Sequence, residues 1–354
     1  MKVLLSGYYG FGNLGDEAIL SGLAAGLQNC GHRVTVLSAN PAKTRALHGV
    51  HAVSRYQGFV PALLRHDALV SGGGGLLQDK TSARSLRYYL GVLQLAKVLG
   101  KRAVVYGQSV GPLSLAGERA VRRVLSGIPV AVRDSASQRL LASLEVRAEL
   151  VADAAFLLDE PASSAVPSSA RSSSAVPGST KHGAAPPVLL IPRGGYPEIT
   201  DALVALARAL RAKGTPLAGM AIQPAQDDVP LKRLQEAVPE LARWRADTPS
   251  AALSTVAGAA HVVSARLHGL IFAAAAKRSF SALVYDPKVA AFAAEAGAVA
   301  YTPPVSAEQL LADVNAQLAT DGVPTGVAVL QARAVQGLYW LDRALQSGAR
   351  ARRR

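Results

Sequence analysis

The densest set of reactive side chains in the sequence lies in Ser264-Ala265-Arg266-Leu267-His268-Gly269-Leu270 and Tyr285-Asp286-Pro287-Lys288. Each stretch follows a short apolar run, so Arg266, His268 and Lys288 are expected at the ends of adjacent strands, with Gly269 in the same turn. A guanidinium grips a carboxylate through two parallel bonds, an ammonium supplies a point charge for phosphate, and an imidazole titrates near neutrality. The trio predicts a compact site for a small, doubly anionic ligand, with a proton donor or acceptor beside it. Arg133, before Asp134 and Ser135 and after the apolar stretch 128–132, places another guanidinium at a strand end, with a helix cap behind it.

The first half carries a different signal. Gly10-x-Gly12-x-x-Gly15 follows an apolar run and opens a helical stretch, the context of a dinucleotide fingerprint. That fingerprint needs an acid about 20 residues on for the ribose hydroxyls, and the sequence has no Asp or Glu between Glu17 and Asp67. No Lys-Ser/Thr pair follows the glycines either, which argues against a P-loop. What remains is a loop whose amides meet an anionic or hydroxyl-rich ligand at a helix N-terminus. Gly72-Gly73-Gly74-Gly75, followed by Gln78 and Asp79, and Gly107-Gln108-Ser109-Val110-Gly111-Pro112 read as two more glycine-rich turns that end strands. Ligands of open parallel sheets bind outside the strand carboxyl ends, so Asn13, Asp16, Glu17, Gln78, Asp79, Arg84, Gln108 and Ser109 are expected on one cleft wall.

Positioning these groups requires a repeated unit of strand, glycine-rich turn and helix. It begins with Val3-Leu4-Leu5 and a helix from Asp16 to about Asn29, and recurs at 33–37, 68–70 and 103–106. Strands alternating with helices predict a parallel sheet covered on both faces. Residues 161–187 then turn to Ser, Ala and Pro without a carboxylate and contain Ser-Ser-Ala-Val-Pro twice, a composition that reads as linker or insertion. The alternation resumes at 188–191. Spaced apolar residues in the stretch from Val327 to Leu345 predict a last helix, expected to pack back on the first domain. The expected organisation is therefore an N-terminal Rossmann-like domain over 1–160, a linker over 161–187, a second Rossmann-like domain over 188–326, and a helix with a basic tail over 327–354.

Composition bounds the function. Of the 354 residues, 50% are apolar and 18% charged, a globular balance for two domains, and no apolar run approaches a membrane span. The single cysteine, Cys30, excludes an intramolecular disulfide and a cysteine metal cluster. A formal charge of +14 draws polyanions, yet neither aromatic stacking motifs nor a reading helix points to nucleic acid. The tail Arg350-Ala351-Arg352-Arg353-Arg354 reads as a solvated terminus or as a contact with anionic lipid.

In this order, residues 7–17, 71–79, 107–112, Arg133-Asp134 and Arg266-Leu267-His268-Gly269 resemble the motifs of the polysaccharide pyruvyl transferases, particularly the CsaB type. The resemblance implies an α/β protein of GT-B-like fold, with two facing Rossmann-like domains and a central cleft. It implies phosphoenolpyruvate as donor, a lipid-linked sugar such as N-acetylmannosamine as acceptor, a pyruvate ketal and phosphate as products, a cytoplasmic setting, and neither cofactor nor metal. It gives His268, Asp16 and Asp79 the proton transfers, Arg133, Arg266, Lys288 and Gly269 the donor, and Asn13, Glu17, Gln78, Arg84, Gln108 and Ser109 the acceptor. Two other readings fit the same residues: a glycosyltransferase using a nucleotide sugar, and a glycan- or phosphate-binding protein without catalysis.

Overall fold

The computed structural model describes residues 1–80, 82–158, 185–320 and 322–347. Most of the Ser/Pro-rich stretch and the basic tail therefore lie outside the described residues. The chain divides into two compact units, one from Met1 to Leu157 joined by the last helix from Val329 onward, the other ending at Ala328.

In the first unit, strands β1 (Lys2–Ser6), β2 (Arg33–Ser38), β3 (His51–Ser54), β4 (Ala68–Leu77), β5 (Arg102–Val110), β6 (Val130–Val132) and β7 (Glu149–Leu150) alternate with helices α1 (Leu14–Asn29), α2 (Pro41–His48), α3 (Phe59–Arg65), α4 (Ala83–Val98), α5 (Leu115–Leu125) and α6 (Ser135–Ser143). All strand pairs are parallel and run in the order β3-β2-β1-β4-β5-β6-β7. The strand order reverses between β1 and β4, which makes their carboxyl ends the place where helices diverge and leave a crevice. Val3, Leu4, Leu5, Leu69, Val70, Val104 and Val105 are fully buried, as strands covered on both faces require.

The glycine runs differ from the expectation. Gly72–Gly75 and Gly107 lie inside β4 and β5, which continue to Leu77 and Val110 through shifts of register. Gly73 and Gly74 take φ of 68° and 82°, where glycine avoids the Cβ penalty, so the chain bulges and stays in the sheet. A Cβ on Gly73 would also overlap the Ile19 side chain, so these glycines bring α1 against the sheet.

The second unit repeats the plan. Strands β8 (Val188–Ile191), β9 (Leu217–Met220), β10 (Ala242–Trp244), β11 (His261–Ser264), β12 (Ser279–Leu283) and β13 (Val299–Tyr301) form a parallel sheet in the order β10-β9-β8-β11-β12-β13. Between them run α7 (Pro197–Ala212), α8 (Pro224–Ala237), α9 (Pro249–Ala257), α10 (Leu267–Ala275), α11 (Pro287–Ala296) and then α12 (Ala307–Thr320). Here the order reverses between β8 and β11. Helix α13 (Val327–Gln346) belongs mainly to the first unit, where His32 Nε2 meets Asp342 at 2.9 Å and Arg102 donates to Ala344 and Leu345 carbonyls at the helix end.

One histidine of the second unit is purely architectural. His261 is fully buried, with Ser279 Oγ 2.8 Å from Nδ1 and Ser281 Oγ 2.9 Å from Nε2. Ser281 donates to Asp313 at 2.6 Å, so Nε2 carries the proton and donates to Ser281. Burial lowers its pKa from 6.5 to about 4. Between these values the unfolded chain binds a proton that the folded chain refuses, so stability rises with pH across the window and is lost as pH falls through it. The loss at pH 4 amounts to about 3 kcal/mol. Urea midpoints at pH 7 and pH 4.5 should fall less in His261→Gln than in the unsubstituted protein; an equal fall would show that His261 does not set this slope.

Candidate active site

In the first unit the loop from Gly7 to Asn13 leaves β1 at the strand reversal. Asn13 caps α1, its side chain accepting from Gly15 N at 3.0 Å. Gly10, at φ 81°, packs so tightly on Ser38 and Asn40 that a Cβ there would overlap the Ser38 hydroxyl. Glu17 secures the loop from beneath: it accepts from Gly10 N at 2.8 Å and pairs with His48 Nε2 at 2.8 Å, and the other ring nitrogen of His48 meets Ser21. Both Glu17 oxygens are thus engaged by protein groups that shape the loop. Asp16 is buried against β4, its Oδ1 3.0 Å from where a Cβ on Gly74 would stand. After burial itself, its charge contributes most to raising the pKa values of Tyr8 and Tyr9.

The β4 and β5 exits also differ in part from expectation. Asp79 accepts from Ser114 N at 2.9 Å and Ser114 Oγ at 2.5 Å, which ties the end of β4 to the start of α5. Both of its oxygens are therefore held by protein groups. Gln108 is fully buried and donates to Ser71 Oγ at 2.8 Å, which joins β5 to β4, while its Oε1 is buried without a hydrogen-bond partner. Gln78 is half-buried, and Arg84 is exposed in the first turn of α4.

The β5 and β6 exits come together in a buried chain. Arg133 Nη1 donates to Asp153 at 2.5 Å and Nε donates to Ser109 Oγ at 2.8 Å, while Ser109 donates to Asp134 at 2.7 Å. Asp134 caps α6 by accepting from Ser137 N at 2.7 Å. These bonds fix the guanidinium plane at the exits of β5 and β6. The sequence reading anticipated Arg133, Ser109 and the cap but missed Asp153, which sits in an irregular segment 20 residues further on.

In the second unit, Arg266, His268, Gly269 and Lys288 lie at the carboxyl ends of β11 and β12. Gly269 is needed for packing, because a Cβ there would overlap Ser264 Oγ and stand 2.9 Å from Ile191 Cδ1. Half-buried His268 therefore occupies the first turn of a helix pressed close to the sheet. Lys288 occupies the same place in α11, its Nζ 3.3 Å from Asp286, whose carboxylate also caps the helix by accepting from Lys288 N at 3.0 Å. Two helix N-termini, each with a basic or titratable side chain, thus follow adjacent strands, a setting that favours an anion.

Arg266 does not stand open as an anion clamp. Its Nε lies 3.0 Å from both oxygens of Asp227, its Nη2 also meets Asp227, and Gln223 and Gln226 approach it at 3.5 and 3.1 Å. Asp227 is fully buried and accepts from Gln223 N at 2.9 Å, so the pair joins the start of α8 to the start of α10. Sequence reading missed Asp227, whose place in a first helical turn looks like an ordinary charge at a helix start. Arg193, in the turn after β8, lies 5.8 Å from the Tyr196 ring and 5.6 Å from the Tyr285 ring, and the two rings are 4.5 Å apart. Because β8 and β12 flank β11, this pair brings together the loops on either side of the Arg266 turn.

Among the described residues no group of His, Cys, Asp and Glu is placed to hold a metal ion, and no helix is long and apolar enough to cross a membrane. The family model for polysaccharide pyruvyl transferase matches residues 13–287. No curated protein matches the sequence. Similar solved structures include a glycosyltransferase from Rickettsia africae (13% identity, TM-score 0.55, 99% of this chain and 97% of that one). A UDP-GlcNAc 2-epimerase from Neisseria meningitidis is similar over 96% of this chain and 100% of its own (11%, 0.58). So is Anabaena Alr3699/HepE, solved with UDP, over 99% and 100% (11%, 0.56). At such identities the likeness establishes the fold class, two parallel-sheet Rossmann-like units of GT-B type.

Proposed function

The chain belongs to the polysaccharide pyruvyl transferase family, and from that premise we propose that it forms a pyruvate ketal on a cell-wall polysaccharide precursor, using phosphoenolpyruvate as donor. The proposed acceptor is N-acetylmannosamine of a lipid-linked intermediate, reached at the inner face of the membrane with the basic tail at 350–354 as a contact. The observation that carries the donor assignment is the pair of helix N-termini at α10 and α11, bearing His268 and Lys288. They suit a phosphate, and Arg133 is assigned to the donor as a guanidinium able to take a carboxylate.

The reaction balances without a redox partner. The enol methylene takes a proton and becomes the ketal methyl; two acceptor hydroxyls each form a bond to the former enol carbon. The bond from that carbon to the phosphate oxygen breaks, and of the two hydroxyl protons released, one replaces the proton given to the methylene and one leaves with phosphate. His268 is assigned the proton transfer on the donor side and Lys288 the phosphate. Arg266, held by Asp227, positions the His268 turn. Asp16 is assigned the acceptor hydroxyls, with Asn13, Gln78 and Arg84 around the acceptor; Glu17, Asp79, Gln108 and Ser109 hold the loops that present them.

Lys288→Ala is expected to raise KM for phosphoenolpyruvate about tenfold with little change in kcat, since a phosphate contact made in ground and transition state alike acts on binding. An unchanged KM would remove Lys288 from the donor site. The reaction itself is tested by running it in deuterium oxide and examining the acceptor by NMR. A new ketal methyl carrying deuterium supports protonation of the methylene by the enzyme; a glycosidic product from a nucleotide sugar would replace the proposal with glycosyl transfer.

A further inference from the structure

A second basic group in the first unit has no part in the chemistry above. Arg55 directly follows β3, its backbone N donating to Ser38 O at the end of β2. The residue is only 7% exposed. Its guanidinium carbon lies 4.3 Å from the Tyr88 ring centroid, 5.2 Å from Phe11 and 5.6 Å from both Tyr56 and Tyr89. The hydrogen bond it makes, to Tyr89 Oη, is long at 3.5 Å, and Nε is buried with no partner. The side chains placed around it are Tyr88, Phe11, Tyr56 and Tyr89, none of them a carboxylate.

Among the described residues no carboxylate is paired with Arg55; a buried guanidinium without a counter-ion is costly to keep, and ring faces offset only part of that cost. Its neighbours point to what completes it. Phe11 is stacked on Tyr8 at 4.1 Å and is 39% exposed, and Tyr56 is 71% exposed, which leaves flat apolar faces beside the charge. Lys43, in the first turn of α2, brings its Nζ to within 3.8 Å of where a Cβ on Gly12 would stand. The acids of this neighbourhood are Asp16, whose field reaches Tyr8 together with that of Arg55, and Glu17, which is held beneath the loop by Gly10 N and His48. The exits of β1, β2 and β3 thus gather two cations and an aromatic platform on the opposite side of the strand reversal from Arg133.

We propose that Arg55, Lys43 and the Tyr8–Phe11 loop form a second anion subsite, which takes the phosphate of a phosphorylated sugar acceptor with the sugar ring against Phe11. The anion is read from the residues themselves; that it is the acceptor's rests on the pyruvyl transfer reading. The test titrates the full chain with inorganic pyrophosphate, and separately with N-acetylmannosamine and its 1-phosphate. The unsubstituted protein should bind pyrophosphate and prefer the phosphorylated sugar to the plain one. Arg55→Gln should weaken pyrophosphate at least about tenfold, as loss of a charged partner does, while phosphoenolpyruvate affinity stays within about twofold. Because Arg55 is buried and its loss could unfold the first unit, Lys43→Ala and Phe11→Ala at exposed positions serve as second variants, each expected to weaken the phosphorylated sugar about threefold. Pyrophosphate binding unchanged in all three variants, or absent from the parent, overturns the subsite. Pyrophosphate binding lost in Arg55→Gln without preference for the phosphorylated sugar refutes the acceptor assignment. A failure of ketal formation with every acceptor would count against the pyruvyl transfer reading and leave the pyrophosphate result standing.

Discussion

Replacing His268 by alanine is expected to lower kcat for pyruvyl transfer by about 10²–10⁴, the usual worth of a positioned acid or base, and to change KM for phosphoenolpyruvate far less. The reasoning starts from Gly269, whose missing side chain allows the first turn of α10 to press onto Ser264 and Ile191. That contact holds His268 at the carboxyl end of β11. His261 shows what a structural histidine looks like in the same sheet: fully buried, bonded on both nitrogens and pushed toward the neutral form. His268 stands instead half-buried at the strand end. The measurement is steady-state kinetics in phosphoenolpyruvate for His268→Ala and His268→Gln. A large rise in KM with kcat preserved would reassign the residue to phosphate binding alone.

Asp227→Ala is expected to cost about 3–5 kcal/mol of stability, because it leaves the buried Arg266 guanidinium without its carboxylate. The pair does more than stabilise: it joins the first turns of α8 and α10, so its loss also frees the turn that carries His268. Denaturant unfolding gives the first effect, and kcat measured well below the new midpoint gives the second. The double variant Asp227→Ala/Arg266→Met should recover much of the stability by removing the orphaned charge, yet little of the activity. A single variant as stable as the parent would show that Arg266 finds another partner or water, and that the pair does not hold the site.

The central strands were legible because β1, β2, β4, β5, β8, β11 and β12 are apolar runs bounded by glycine or polar turns. The short edge strands β3, β7, β10 and β13 were not, since two to four residues, such as His51–Ser54, carry no periodic signal and exist through pairing with a neighbour. The glycine runs were located correctly but read as turns, because sequence alone does not separate a glycine that ends a strand from one that bulges inside it. At the site, strand-end position made Arg133, Arg266, His268 and Lys288 visible. Their fixing partners were not: Asp153 and Asp227 lie 20 and 39 residues from the arginines they hold, at distances where no local spacing rule operates. Arg55 was silent for a related reason. Its aromatic surround is assembled from Phe11, Tyr56, Tyr88 and Tyr89, four rings in three separate segments, and a lone arginine after a weak strand gives no hint of it.

The most direct measurement of the central claim is phosphate release from phosphoenolpyruvate, with and without an acceptor bearing N-acetylmannosamine, while the acceptor mass is followed. The account predicts release that depends on acceptor, matches the gain of one pyruvyl ketal per phosphate, and disappears in His268→Ala. Release without acceptor, or an acceptor that gains a sugar from a nucleotide donor and no pyruvyl group, would contradict it.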